Sequence, residues 1–187
     1  IGNEYGIYNN LGQLLVTDGV ITGRYGGIKN NSEIRIINGE ISSLSNSGKN
    51  VIIENGMITG SITNTGTSII INGGTIQKGI TNNGAGTITI TDGMINGGIY
   101  NSRSEKIEVI GGTITGDPYG IRNVSSGQII VTGGKITGVY GIYNDYNGSI
   151  TIGKKDGNVT DSVEIIAENR IGLYNSTAGS LKYYDGI

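Results

Sequence analysis

The sequence predicts an all-β fold, a parallel β-solenoid of about nine coils with three short strands in each coil. Three observations lead to this fold class. A motif recurs roughly every 20 residues, apolar and polar residues alternate inside each repeat, and Gly, Asn and Asp separate the alternating segments. The composition agrees, since 35 glycines and an equal number of isoleucines accompany a single proline. No stretch of the chain shows a helical period.

The first strand of each repeat follows the pattern Gly-Ile-x-Asn. Its apolar residue recurs nine times at spacings of 16 to 22 residues, except for a last spacing of 31, and Asn always follows two residues later. A short amide side chain satisfies backbone groups at a turn, and stacked copies bond to one another along an axis. The predicted internal Asn ladder consists of Asn9, Asn30, Asn46, Asn64, Asn82, Asn101, Asn123, Asn144 and Asn175.

The second strand follows the pattern Ile-x-Ile, and the third is a short x-Ile-Thr segment. In one coil these strands contain Ile88, Ile90 and Ile95, with Gly93 at the turn between them. Alternate side chains of a strand point to opposite faces, so the isoleucines are expected to fill the core. The turn glycine is expected to need a positive φ. Equivalent turn glycines are Gly19, Gly39, Gly56, Gly74, Gly93, Gly112 and Gly134.

A single solenoid domain is predicted over residues 1–187, because one coil cannot bury its apolar side without neighbours. The last repeat is stretched, with its turn predicted at Asp156–Gly157, its third strand at Val159 and a longer excursion over residues 153–172. Both ends of the pattern look uncapped. We therefore expect a fragment of a longer protein, or neighbouring chains that cover the ends.

The three-strand coil with an Asn at a fixed turn position resembles the right-handed parallel β-helices of pectate-lyase-like architecture. In character it is closest to adhesin-like and autotransporter-like bacterial surface repeat proteins, and the resemblance covers essentially the whole chain. It implies right-handed winding, which spacing alone does not give, and a secreted or cell-surface location in a bacterium or archaeon. That architecture hosts lyases, hydrolases, adhesins and phage spikes, so it does not decide function.

Composition and spacing argue against a catalytic site. The chain has no His and no Cys, which removes the commonest general base and metal ligand as well as thiol chemistry. The acids at outward positions of the second strand, Glu54 and Glu108, are three coils apart, or about 14 Å, too far for a paired-carboxylate mechanism. We therefore expect a protein that is not an enzyme, with no metal and no cofactor.

Charge and hydropathy exclude two kinds of partner. Thirteen basic and fifteen acidic residues give a net charge of −2, and no basic stripe is visible for a nucleic acid. No window of 18 consecutive apolar residues exists, so no membrane-spanning segment is expected.

Tyrosines provide the candidate ligand-binding face. They recur on successive coils around the Gly-Ile-x-Asn segment, flanked by polar side chains, an arrangement that suits recognition of a sugar or a protein. The alternative is that they only cover exposed glycine backbone and stack on one another. Tyr5, Tyr8 and Tyr25 form a second group on the first coils. The candidate face consists of Tyr100, Tyr119, Arg122, Tyr140, Tyr143 and Tyr146.

The sequence therefore favours a non-enzymatic, adhesin-like or structural solenoid on a cell surface or in secreted form. Its expected partner is a glycan or a host or cell-surface protein. Two alternatives remain open: a carbohydrate-active β-helix enzyme with its active site outside the recognisable pattern, and a subunit of an extracellular filament that self-associates end to end.

Overall fold

The computed structural model describes residues 4–154, 162–176 and 178–184. They form a right-handed parallel β-solenoid of 26 strands, numbered along the chain, and no helix occurs among them. Three successive strands make one coil and contribute to three parallel sheets that run the length of the solenoid. The predicted fold class, with three short strands per coil, is confirmed.

The three sheets correspond to the three segments of the sequence repeat. Sheet A consists of β1 (Tyr5–Asn9), β4 (Gly26–Asn30), β7 (Leu44–Asn46), β10 (Ile62–Asn64), β13 (Ile80–Asn82), β16 (Ile99–Asn101), β19 (Tyr119–Asn123), β22 (Tyr140–Asn144) and β25 (Leu173–Asn175). Sheet B consists of β2 (Gln13–Val16), β5 (Glu33–Ile36), β8 (Asn50–Ile53), β11 (Ser68–Ile71), β14 (Thr87–Ile90), β17 (Lys106–Val109), β20 (Gln128–Val131), β23 (Ile150–Ile152) and β26 (Leu181–Tyr183). Sheet C consists of β3 (Val20–Ile21), β6 (Glu40–Ile41), β9 (Met57–Ile58), β12 (Thr75–Ile76), β15 (Met94–Asn96), β18 (Thr113–Thr115), β21 (Gly134–Gly138) and β24 (Val163–Ala167).

The core is a set of stacked apolar rows inside the three sheets. In sheet A, for example, Ile62 pairs with Ile80 in register, and both side chains are buried. Burying one such side chain stabilises the fold by about 1.5–3 kcal/mol. Since a shift by one residue would turn every isoleucine outward, the apolar pattern fixes the register.

The enclosed core extends from Val16 to Ile152 and comprises about seven turns, not the nine coils that the sequence predicted. The first and last coils add strands to the sheets, but each has a neighbour on one side only. Their inward residues Ile7, Leu14 and Leu173 are accordingly only partly buried.

The stretched coil differs from its prediction. The predicted turn at Asp156–Gly157 and the strand at Val159 lie outside the described residues, and the third strand is instead β24, which aligns Ile165 with Ile136 of β21. The extra residues are therefore inserted before the third strand. The described part of the predicted excursion over 153–172 thus contains a regular strand of sheet C.

The turn glycines have the predicted backbone conformation. All seven have φ between +79° and +114°, a region that residues with a Cβ avoid. Close stacking is a second reason for glycine, because a Cβ on Gly93 would lie 2.9 Å from backbone atoms of Gly73 and Gly74 in the preceding coil.

The Asn ladder is confirmed as a continuous chain of side-chain hydrogen bonds. Eight Nδ2···Oδ1 bonds of 2.6–2.9 Å join the nine residues from Asn9 to Asn175. In each bond Nδ2 donates to the next coil along the chain, so all amides point the same way. Asn82 shows the full pattern, since its Nδ2 also donates to the Gly84 carbonyl at 2.9 Å. Buried amides are thereby paired, which removes the cost of desolvating them.

Replacing one ladder residue should destabilise the solenoid strongly. Asn82→Ala removes the acceptor of Asn64 Nδ2 and the donors to Asn101 Oδ1 and to the Gly84 carbonyl, so three buried polar groups each lose a hydrogen bond. We expect a loss of about 2–4 kcal/mol in the free energy of unfolding. Urea unfolding followed by circular dichroism measures it as a lower midpoint at unchanged slope.

The matched control is Asn83→Ala, because Asn83 is the next residue and is exposed. It should change stability by no more than about 0.5 kcal/mol. Equal effects of the two substitutions would show that the ladder bonds contribute nothing beyond a surface amide.

Candidate binding face on sheet A

The outward surface of sheet A concentrates the tyrosines of the protein. The x position of the Gly-Ile-x-Asn segment points outward, because the flanking Ile and Asn side chains point inward. The outward positions are therefore the ones left free to vary between coils. Of 11 tyrosines in the chain, seven lie in strands of sheet A. These are Tyr5, Tyr8, Tyr100, Tyr119, Tyr140, Tyr143 and Tyr174.

Three of the predicted tyrosines form one aromatic cluster. Tyr119 and Tyr140 are cross-strand neighbours, and their rings stack with centroids 5.3 Å apart. The ring of Tyr143 lies 5.1 Å from each of the other two. Such pairs contribute about 0.5–1.5 kcal/mol each beyond the area they bury, so the cluster is a fixed part of the surface.

Arg122 connects Tyr100 to this cluster. Its guanidinium carbon lies 5.8 Å from the Tyr100 ring centroid and 5.2 Å from that of Tyr119. One Nη2 donates to the carboxylate of Asp145 at 3.2 Å. Its Nε is buried and has no hydrogen-bond partner among the described residues. The guanidinium is thus held between two rings, and its Nη1 makes no hydrogen bond to another described residue.

Two further residues belong to the cluster, although the sequence did not assign them to the site. Tyr174 stacks on Tyr143 at 4.4 Å, and Arg170 lies over the Tyr140 ring at 5.9 Å and donates from Nη1 to the Tyr140 hydroxyl at 3.2 Å. Tyr174 occupies the x position of the last repeat, which was a usable signal. Arg170 lies in the stretched coil, where no repeat position predicts its place.

Tyr146 does not join the cluster. It lies in the turn after β22 with 52% of its surface exposed, and its ring stacks on no other tyrosine within the described ranges. Its backbone carbonyl instead accepts a hydrogen bond from Ser176. The structure thus brings together five of the six predicted residues and leaves this one apart.

The second tyrosine group has the same chemistry at the other end of sheet A. The amine of Lys29 lies 5.6 Å from the Tyr5 ring centroid and 5.3 Å from that of Tyr8. Asn31 donates to the Tyr8 hydroxyl at 2.9 Å. The ring of Tyr25 has a cation of its own, Arg24, at 5.7 Å. Cations over aromatic rings therefore occur at both ends of this face.

The electrostatics keep the face rich in hydrogen-bond donors. Partial burial, followed by the negative charge of Asp145 and the neighbouring tyrosines, raises the pKa of Tyr143 above its ordinary value of 10.0. The phenol stays protonated at neutral pH and can donate. Because the rings stack on one another, the donors left for a ligand are the phenol hydroxyl groups and the Nη1 N–H groups of Arg122. This set suits a ligand with many acceptor oxygens.

A groove at the turns between sheets B and C lies away from this face. It has a volume of about 530 Å³ and is lined by Asp92, Lys135, Glu164 and turn glycines. Lys135 and Glu164 form an ion pair at 3.2 Å, so two of its three charges are already neutralised.

The described residues contain no group of three or more Asp, Glu, His or Cys placed to hold a metal ion. No helix long and apolar enough to cross a membrane occurs in the same ranges.

Comparisons with known proteins returned no similar protein: no family model, no curated protein and no solved structure matches the chain. The resemblance to pectate-lyase-like and adhesin-like β-helices beyond the shared solenoid architecture therefore stays a prediction.

The raised pKa of Tyr143 gives a direct test of the cluster geometry. Asp145→Asn removes the nearby negative charge and should lower the pKa of Tyr143 towards its ordinary value of 10.0. A spectrophotometric titration of phenolate absorbance measures it, with Tyr143→Phe identifying the contribution of this residue. In the native protein the pKa of Tyr143 is higher in the folded state than in the unfolded state. The neutral phenol of Tyr143 therefore contributes its full share of the folding stability below about pH 10, and this share is lost as the pH rises through the folded pKa.

Asp18→Asn is the matched control for that titration, since it removes an exposed carboxylate in the turn between β2 and β3. It should leave the Tyr143 transition unchanged. A Tyr143 transition that does not move in Asp145→Asn would contradict the effect of the Asp145 charge on the Tyr143 phenol.

Proposed function

We propose that the protein is a non-enzymatic binding solenoid whose sheet A presents its tyrosine face to a glycan. The supporting observation is the segregation of tyrosines and cations on the outward side of one sheet. Seven tyrosines share that surface with Lys29 and Arg122, while the inward side is uniform. An outward pattern that departs this far from the repeat is typical of a recognition surface on a structural scaffold.

The chemistry of the face favours a glycan over a protein. Sugars offer many hydroxyl and ring oxygens, which match the phenol and guanidinium donors of the cluster. Protein-binding hot spots instead use aromatic anchors that fill pockets in an apolar core. In the cluster around Tyr143 the aromatic faces are occupied by one another, so they are not free to act as anchors.

The scaffold supports binding with little reorganisation. Apart from those on the edge strands β1 and β25, the outward side chains of sheet A lie on strands paired on both sides, so their positions are fixed before a ligand arrives. Tyr119 and Arg122 both lie in β19, which pairs with β16 and with β22. Preorganised contacts of this kind bind more tightly because less side-chain freedom is lost on association.

The outward acids of sheet B form ion pairs, and these contacts fit a structural role better than a catalytic one. Glu54 contacts Arg35 at 2.9 Å, and Glu108 contacts Lys106 at 2.8 Å. A hydrogen bond from Asn72, followed by the contact with Arg35, lowers the pKa of Glu54 below its ordinary value, against the opposing effect of burial. A general acid at neutral pH needs the opposite shift.

A secreted or cell-surface location belongs to the same proposal, because a protein meets the glycans of cell surfaces outside the cell. Immunodetection in the surface or medium fraction of the source cells tests it. Retention of the protein inside intact cells would contradict it.

Removing three rings of the face together tests the proposed function. The variant Tyr119→Ala/Tyr140→Ala/Tyr143→Ala should weaken binding to any glycan found on an array by at least about tenfold, since it removes three phenol hydrogen-bond donors at about 0.5–1.5 kcal/mol each and one of the two rings that hold Arg122. Isothermal titration calorimetry measures the dissociation constant. Assays for new reducing ends and for unsaturated uronates on the same sample should show no turnover.

The matched control places three substitutions on the outward side of sheet B, Ile70→Ala/Thr89→Ala/Ile130→Ala, and should leave glycan binding unchanged. The proposal fails if the array shows no glycan binding, or if the tyrosine variant binds as well as the control. Turnover of a bound glycan would favour an enzyme instead.

A further inference from the structure

Sheet A differs from the other two sheets in charge. Its nine strands contain two cations, Lys29 and Arg122, and no Asp or Glu. Acids do occur in the strands of the other sheets, for example Glu108 in sheet B and Glu164 in sheet C. This separation of charge is unexpected in a chain with a net charge of −2. It gives the strands of sheet A a net positive charge, which a negatively charged ligand can recognise.

Each of these cations is held over two tyrosine rings, and we name the two sites the stations. The first station is Lys29 with Tyr5 and Tyr8, and the second is Arg122 with Tyr100 and Tyr119. Lys29 forms no salt bridge with another described residue. Arg122 donates from Nη2 to Asp145 and its Nε is buried out of reach of a ligand, so its available donors are the N–H groups of Nη1, which bond to no other described residue. Both stations thus offer an oriented cation with free N–H groups to an oxyanion.

Between the stations the outward residues of sheet A have short side chains that carry hydroxyl groups. The row of outward residues that joins Lys29 to Tyr100 passes through Ser45, Thr63 and Thr81, which are in register on adjacent strands. Their side chains are short, so these residues do not obstruct a ligand that spans the two stations. Lys29 and Arg122 lie five strands apart, which corresponds to about 24 Å along the solenoid axis.

We propose that sheet A binds a linear polysaccharide that carries oxyanions, lying lengthwise along the solenoid and engaging both stations at once. Carboxylate or sulfate groups would contact the guanidinium and the amine, and sugar hydroxyls would bond to the row of Ser and Thr hydroxyls between them. This inference rests on the proposed function and adds the charge, the direction and the minimum length of the ligand.

A polyanionic nucleic acid fits the face less well. Single strands bind by inserting bases onto free aromatic faces. Tyr119 and Tyr140 stack on each other, as do Tyr143 and Tyr174, and those faces are not free for bases. With only two cations in the sheet, the phosphate contacts would also be few.

Ligand length separates one station from two. A fragment too short to span about 24 Å reaches one station at a time, whereas a longer chain binds the second station intramolecularly, which raises its affinity without any new contact. The advantage of the longer chain should therefore depend on both cations.

The experiment uses hyaluronan oligosaccharides as carboxylate probes and dextran sulfate as the sulfate probe, with dextran as the neutral control. A hyaluronan decasaccharide should bind at least about tenfold more tightly than the disaccharide, as expected for bivalent attachment.

Lys29→Gln should bring the two dissociation constants to within about threefold of each other, and Arg122→Gln should do the same. Lys182→Gln, an exposed cation on sheet B, should leave the length dependence unchanged. If both acidic polymers bind, the face recognises oxyanions in general. If only one binds, the face recognises the group that this polymer carries, either carboxylate or sulfate.

Several results would overturn the inference. Dextran that binds as tightly as the acidic polymers would remove the requirement for oxyanions while leaving the proposed glycan function intact. Persistence of the length dependence in Lys29→Gln would contradict the two-station arrangement, and this variant keeps the test valid if Arg122→Gln unfolds. Tighter binding of oligothymidine than of hyaluronan would assign the face to nucleic acid. Absence of binding to every polysaccharide would defeat both this inference and the proposed function.

Discussion

Stacking of identical coils in register is the constraint on which the rest of this structure depends. Each coil hydrogen-bonds to its neighbours through three strands and one buried amide, so any residue type that suits one coil suits the next. Isoleucine rows fill the interior, and the ladder from Asn9 to Asn175 satisfies the polar corner. A buried amide needs a donor and an acceptor at once. A stack of asparagines provides both, because each residue donates to one neighbour and accepts from the other.

The same constraint divides the residues into two classes with different freedom. Inward positions contribute to the neighbouring coils as well as to their own, and they hardly vary. Outward positions such as Thr81 and Tyr100 are adjacent in register, yet they differ in size and chemistry. A surface can therefore be altered without disturbing the core. The tyrosines and cations of sheet A are such an alteration, placed on a scaffold that holds them at the strand spacing of about 4.8 Å.

That regular spacing explains why the face suits a long ligand. Side chains on successive coils repeat at a fixed distance, as the units of a linear polymer do, so contacts with both can accumulate along the axis. Lys29 and Arg122 lie at the two ends of such a row. Their cations rest on tyrosine rings, which limits their side-chain motion and reduces the entropy lost on binding.

The sequence alone determined the three strands per coil, the buried isoleucines, the Asn ladder and the positive φ of the turn glycines, because each follows from local spacing repeated many times. Tertiary structure decided what depends on neighbours across coils. The core closes over about seven turns since end coils lack one neighbour, and Ile165 takes the place expected for Val159 because pairing with Ile136 selects it. Arg170 reaches Tyr140, and Tyr146 stays apart, because loops outside the repeat have no register to place them.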